Sequence, residues 1–228
     1  MRPVSLRAAS SRARFFSVLL AGLLTWQPGC ALDYPAMAEA ITQRWGPAGA
    51  DRFKGWQSMV QAGSRPDSSE LDRLALVNAF FNKTIRFGTD LEIWQQEDYW
   101  ATPLETLGRG AGDCEDFAIA KYFSLLALGV PDTKLRFVYV RALVQQDRAL
   151  RVEPHMVLAY YKTATAEPLV LDNLTSIIGS ASQRSDLTPV YSFNKEGYFQ
   201  GVLRTAMSRG TRLSRWEDLL VRVTNEGF

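Results

Sequence analysis

The run Gly112-Asp113-Cys114-Glu115-Asp116-Phe117 places a thiol where a helix begins. Gly108, Gly110 and Gly112 precede it as a flexible loop, and helical spacing continues to about Leu128, with Gly129 and Pro131 as stop signals. Between Phe117 and Leu128 the only charge is Lys121. A helix apolar around its whole circumference belongs in a core, so its N-terminus is a rigid platform. Free N–H groups and the helix dipole in the first turn favour a thiolate at Cys114 and can hold an oxyanion. The competing reading of Cys114 is a small buried hydrophobe, as free cysteines often are.

A thiol nucleophile needs a base, and the chain has a single histidine, His155. It opens an apolar, β-prone run, His155-Met156-Val157-Leu158. The residue that would orient its ring is sought at the end of the next such run, Leu169-Val170-Leu171-Asp172-Asn173. Successive strand residues point to opposite faces, so only one of Asp172 and Asn173 can serve, and Asp172 is preferred. The plainer readings are a structural histidine and an aspartate capping a turn.

Asp113, Glu115 and Asp116 can cap the helix and complement its dipole. Three carboxylates beside a thiol also raise its pKa and oppose the benefit of the dipole. A hard cation among them removes that conflict, so Asp113, Glu115 and Asp116 form a candidate Ca²⁺ site that supports Cys114. No Cys/His cluster with zinc spacing is present.

The elements that must position these groups are legible in the patterning. Tyr34 to Trp45, Asp51 to Gln61, a run opened by Ser68 or Ser69, and a turn from Thr102-Pro103 read as helices. After Pro131 the character changes. Leu135 to Leu143, His155 to Tyr161, Leu169 to Leu171 and Val190 to Phe193 read as strands of one antiparallel sheet, with a closing helix around Trp216 to Val221. Helices first and strands later predict an α+β domain. The aromatic segment Trp94 to Trp100 reads as core or as a docking surface.

Whole-chain properties agree with a globular protein: 228 residues, 46% hydrophobic, 22% charged, net charge +2. Arg2, Arg7, Arg12 and Arg14 carry much of the positive excess, and no basic stripe of a nucleic-acid binder is visible. Residues 1–31 read as a secretory signal peptide: an arginine n-region, the apolar run Phe15 to Trp26, and Gly29-Cys30-Ala31 before Leu32. The apolar run is shorter than the about 20 residues that span a bilayer. An uncleaved anchor and a lipidated Cys30 are the alternatives. Residues 32–228 are the expected mature domain, not embedded in a membrane.

Four runs resemble the bacterial transglutaminase-like cysteine proteases, and within them the LapG-type periplasmic branch. They are Asp98-Tyr99-Trp100-Ala101-Thr102-Pro103, Gly110 through Tyr122, His155-Met156-Val157-Leu158 and Leu169-Val170-Leu171-Asp172. Thr188-Pro189-Val190-Tyr191 fits as well. The resemblance implies a papain-like, transglutaminase-like core with a buried nucleophile helix packed on an antiparallel sheet. It implies a triad at Cys114, His155 and Asp172, and Ca²⁺ held by Asp113, Glu115 and Asp116. It further implies a periplasmic endopeptidase that cuts the N-terminal region of a large surface adhesin and so promotes biofilm dispersal. An inner-membrane receptor that senses cyclic di-GMP would control it. Two other functions share these residues: transglutaminase-type acyl transfer to an amine, and a non-catalytic module that docks on a receptor.

Overall fold

A computed structural model describes residues 32–147, 149–195, 197–200 and 214–228; the expected leader at 1–31 lies outside the described residues. The first two predicted helices are one continuous element, α1 (Tyr34–Gly63), kinked at Gly46 (φ 63°, ψ −160°) just before Pro47. The break falls just after Trp45, where the first helix was expected to end, but the helix restarts at once because proline is well suited to a first turn. Met37, Ile41, Phe53, Trp56 and Val60 form its buried face. α2 (Glu70–Thr84) starts at a reciprocal cap between Ser69 and Asp72 and buries Leu74, Val77 and Phe81. Two short helices follow, α3 (Asp90–Trp94) and α4 (Pro103–Arg109), each opened by a threonine–glutamate capping box.

The glycine segment before Cys114 is not the flexible loop that its composition suggested. Gly108 lies inside α4, and a Cβ there would come within 2.2 Å of the Trp45 ring, so glycine lets α1 and α4 touch. Two residue pairs, β1 (Arg86–Phe87) and β2 (Ala111–Gly112), form a small parallel ladder. Gly88 N–H extends it by donating to Gly112 at 3.1 Å. The helix that follows, α5 (Cys114–Ala127), therefore leaves a fixed backbone.

Residues Phe117 to Leu125 of α5 are all buried, as the all-round apolar pattern predicted. The helix lies against a six-stranded sheet of order β6-β5-β4-β3-β7-β8. Its members are β3 (Leu135–Gln146), β4 (Ala149–Tyr160), β5 (Leu169–Leu171), β6 (Gly179–Ser180), β7 (Leu187–Asn194) and β8 (Gly197–Gln200), all neighbours antiparallel. Alternation divides β3 and β4 between two cores. Phe137, Met156, Leu158 and Tyr160 join the helices, while Val138, Val140, Val157 and Ala159 pack with Val170 on the other face. The closing helix α6 (Ser214–Asn225) buries Trp216, Leu219 and Val223. The Trp216 ring meets Phe137 at 5.1 Å, Tyr122 at 5.7 Å and Phe193 at 5.9 Å between centroids. The result is a mixed fold with helices segregated to one face of an antiparallel sheet. Among the described residues no helix is long and apolar enough to cross a membrane.

Candidate active site

Asp113 caps α5, its Oδ1 accepting from the N–H groups of Glu115 at 3.1 Å and Asp116 at 3.3 Å. Cys114 follows in the first turn. The backbone N–H of Met156, the residue after His155, favours the ionised form of this sulfur, so α5 delivers the thiol to the β4 segment that carries the histidine. The Cys114 thiol donates to Glu115 Oε2 at 2.7 Å. Burial pushes the thiol pKa well up, and the charges of Glu115 and Asp113 push it further.

On the sheet, β4 and β5 are paired neighbours, and this brings His155 and Asp172 together across 17 residues of sequence. His155 Nε2 and Asp172 Oδ1 lie 2.7 Å apart, and both side chains are buried. Of the two candidates at the strand end, Asp172 meets the imidazole. Burial alone would raise its pKa. Hydrogen bonds from His155, the Leu174 N–H and Arg184 outweigh that and bring it down to about 2. An ionised carboxylate only accepts, so Nε2 carries the ring proton and Nδ1 holds the basic lone pair. The loop after β5 is fastened to α2, where Asn82 Nδ2 donates to the Asp172 carbonyl at 2.8 Å and to that of Thr175 at 3.1 Å. Lys121, the lone charge read in the α5 sequence, is buried with its Nζ unpaired. Burial lowers its pKa to about 7, against the pull of the Asp172 charge.

A second cluster lies beside the thiol. Carboxylate oxygens of Asp90, Asp113 and Asp116 lie within 4.8 Å of one another. Asp116 Oδ1 accepts from Ala101 N–H at 2.7 Å and Asp90 Oδ2 from Tyr99 N–H at 2.6 Å. Their other oxygens, Asp116 Oδ2 and Asp90 Oδ1, are buried without a partner. Burial raises Asp90 to about 6 and Asp113 to about 9, the second helped by the charges of Glu115, Asp116 and Asp90; Asp116 is pushed well up. Gly112 makes room, since a Cβ there would approach Asp116 Oδ2 to 3.0 Å. Three hard oxygens converging with two left unsatisfied suit Ca²⁺.

The expected cation set is thus only partly assembled. Asp113 and Asp116 are brought together; Glu115 faces the thiol, and Asp90 joins from α3. Asp90 escaped sequence reading because Thr89-Asp90-Leu91-Glu92 looks like an ordinary helix start. Arg184, bonded to Asp172, carries no signal in the sequence at all. In the aromatic segment, Trp100 is buried and stacked on Phe193 at 5.8 Å, which places it in the core.

Residues 56–193 match the family described as bacterial transglutaminase-like cysteine proteinase, BTLCP. Calcium-bound LapG of Legionella pneumophila is 38% identical, with a TM-score of 0.67 over 81% of this chain and 96% of that one. The EGTA-treated form of that protein is 36% identical, with a TM-score of 0.71 over 86% and 100%. A third LapG structure from the same organism is 35% identical, with a TM-score of 0.69 over 86% and 99%. None of the curated proteins matches.

Proposed function

Since the chain belongs to the bacterial transglutaminase-like cysteine proteinases, we propose that it is a calcium-dependent periplasmic endopeptidase acting through Cys114, His155 and Asp172. Its substrate is the N-terminal region of a large surface adhesin, whose release promotes biofilm dispersal. Its controller is an inner-membrane receptor that senses cyclic di-GMP. The observation that carries the reading is the 2.7 Å hydrogen bond between His155 and Asp172, on the strand whose next N–H meets the Cys114 sulfur. The family resemblance supplies the substrate and the controller.

The chemistry follows from the atoms present. Asp172 holds the ring proton on Nε2, leaving Nδ1 to take the proton of Cys114. The sulfur adds to a peptide carbonyl carbon, and the oxyanion is received by first-turn N–H groups of α5, that of Cys114 foremost. His155 returns the proton to the leaving amine as the C–N bond breaks. Water, deprotonated by the same nitrogen, then hydrolyses the thioester and frees the thiol. Asp90, Asp113 and Asp116 would hold Ca²⁺, which supplies positive charge beside the first turn and so lowers the cost of a thiolate there. That relief matters here because burial and two carboxylates hold the thiol protonated.

One incubation series tests the proposal. The mature protein is mixed with the N-terminal region of a surface adhesin from the same cell, as wild type, as Cys114→Ala, and as wild type with EGTA. Fragments of lower mass with wild type alone are expected. Higher-mass conjugates would identify an amine acceptor and a transglutaminase instead, and an unaltered substrate would leave a docking module.

A further inference from the structure

The Asp172 carboxylate has a second partner. Its Oδ2 accepts from NH2 of Arg184 at 2.7 Å. That guanidinium is itself held by Asp186, Nε to Oδ1 at 2.9 Å and NH2 to Oδ2 at 2.7 Å. The Arg184 side chain is only 11% exposed, and Asp172 is fully buried, so this ion pair is poorly screened. Arg184 also lines an apolar pocket with Val157, Val170 and Leu187. A buried carboxylate is costly unless its lone pairs are matched. Around Asp172 the matching comes from three directions: His155 on β4, the Leu174 N–H in the following loop, and Arg184 from beyond β6. Lys121 on α5 adds a charge but no hydrogen bond. Asp186 faces the guanidinium rather than the imidazole.

We propose that Arg184 is a positioning residue: it clamps Oδ2 of Asp172 so that Oδ1 is presented to Nε2 of His155, fixing the ring in the tautomer that leaves Nδ1 to receive the thiol proton. This rests on the reading of His155 as the base. The sign of its effect on the ring is determined. A guanidinium behind the carboxylate opposes formation of an imidazolium in front of it, so its loss makes His155 easier to protonate. Its loss also frees the carboxylate to rotate, which weakens the tautomer preference.

The single histidine makes the test clean. The mature protein, labelled with ¹⁵N-histidine and free of any histidine tag, gives ring signals from His155 alone. These report the tautomer and, over a pH series in calcium buffer, the titration midpoint. In Arg184→Met, which keeps an apolar stem, the midpoint is expected to rise by about half a unit or more, and the Nε2-protonated form to lose dominance. Arg184→Lys restores the charge without the fork and brings the midpoint back toward wild type. Peptide cleavage by Arg184→Met falls in kcat by roughly ten- to a hundredfold with KM unchanged. Arg184→Gln provides the same reading if the methionine variant does not fold. Wild-type ring signals and midpoint in a folded Met or Gln variant would overturn the proposal, even with kcat reduced, because a merely structural role predicts that result. The ring signals do not depend on proteolysis. A Cys114→Ala protein that still cleaves, or a wild type that cleaves nothing, defeats the protease reading while Arg184 is still decided.

Discussion

Nε2 of His155 lies 2.7 Å from Oδ1 of Asp172, and the same oxygen accepts the Leu174 N–H at 3.1 Å. The loop thus holds the oxygen that meets the ring, while Arg184 holds the other. Asp172→Asn keeps the size of the side chain but offers an amide that can donate to Nε2, which turns the ring over to the wrong tautomer. A loss of roughly three to four orders of magnitude in kcat is expected, with substrate binding little changed. Steady-state kinetics on a peptide substrate, alongside an unchanged circular dichroism spectrum, checks it.

The same carboxylate contributes to acid stability. Its folded pKa of about 2 lies below its ordinary 3.8. A depressed acid stabilises the fold above the unfolded value, and that contribution is lost as pH falls from about 4 through about 2. The size is about 2 kcal/mol, full at neutral pH. Asp172→Asn should therefore flatten the acid limb of a stability–pH curve measured by urea unfolding. An acid limb as steep in the variant as in wild type would contradict it.

Some of this was readable in the chain and some was not, for physical reasons. The all-apolar circumference of α5 announced burial, and the β-prone runs around His155 and before Asp172 announced neighbouring strands. The spacing of those runs says nothing about which side chains outside them reach the pair. Arg184 arrives from a turn beyond β6, and a lone surface-type residue in a polar stretch leaves no periodic trace. The acidic cluster was half legible for a similar reason. Asp113 and Asp116 are tied to Cys114 by sequence, whereas Asp90 arrives only because β1 and β2 pair and carry α3 to the front of α5. Two of the glycines before Cys114 misled in the opposite direction: close packing demanded them, at Gly108 under Trp45 and at Gly112 beside Asp116, rather than freedom.

Closure of the fold by α6 has a measurable cost of removal. Trp216 is buried and touches the rings of Tyr122, Phe123, Phe137 and Phe193. Trp216→Ala should lower the unfolding free energy by about 3–5 kcal/mol, through lost burial and a cavity that rigid aromatic neighbours cannot fill. Urea denaturation measures it, with no change in midpoint as the contrary result.

Glu115 Oε2 accepts a hydrogen bond from the Cys114 thiol at 2.7 Å, and its charge is the largest electrostatic influence raising that thiol after burial itself. Glu115→Gln removes the charge and keeps the shape, so the thiol should ionise more readily. In EGTA and in a Cys30→Ser background, iodoacetamide should label Cys114 several-fold faster in the variant at neutral pH. Equal rates would show that the Glu115 charge does not hold the proton on sulfur.

Calcium should distinguish the two acidic sets. Asp90, Asp113 and Asp116 converge with two oxygens unsatisfied, and Glu115 is elsewhere. A cation bound only by the folded protein stabilises it by mass action, about 2.7 kcal/mol at a hundredfold excess over Kd. For a domain of this size that is a rise in Tm of roughly 5–10 °C over the EGTA-treated protein. Asp90→Asn and Asp116→Asn should each abolish most of the rise, because each removes a charged ligand from the cluster. Glu115→Gln should leave it largely intact. Differential scanning fluorimetry of the four proteins with and without calcium decides the matter. A rise that survives Asp90→Asn but disappears with Glu115→Gln would assign the cation to the acids flanking the thiol and remove Asp90 from the site.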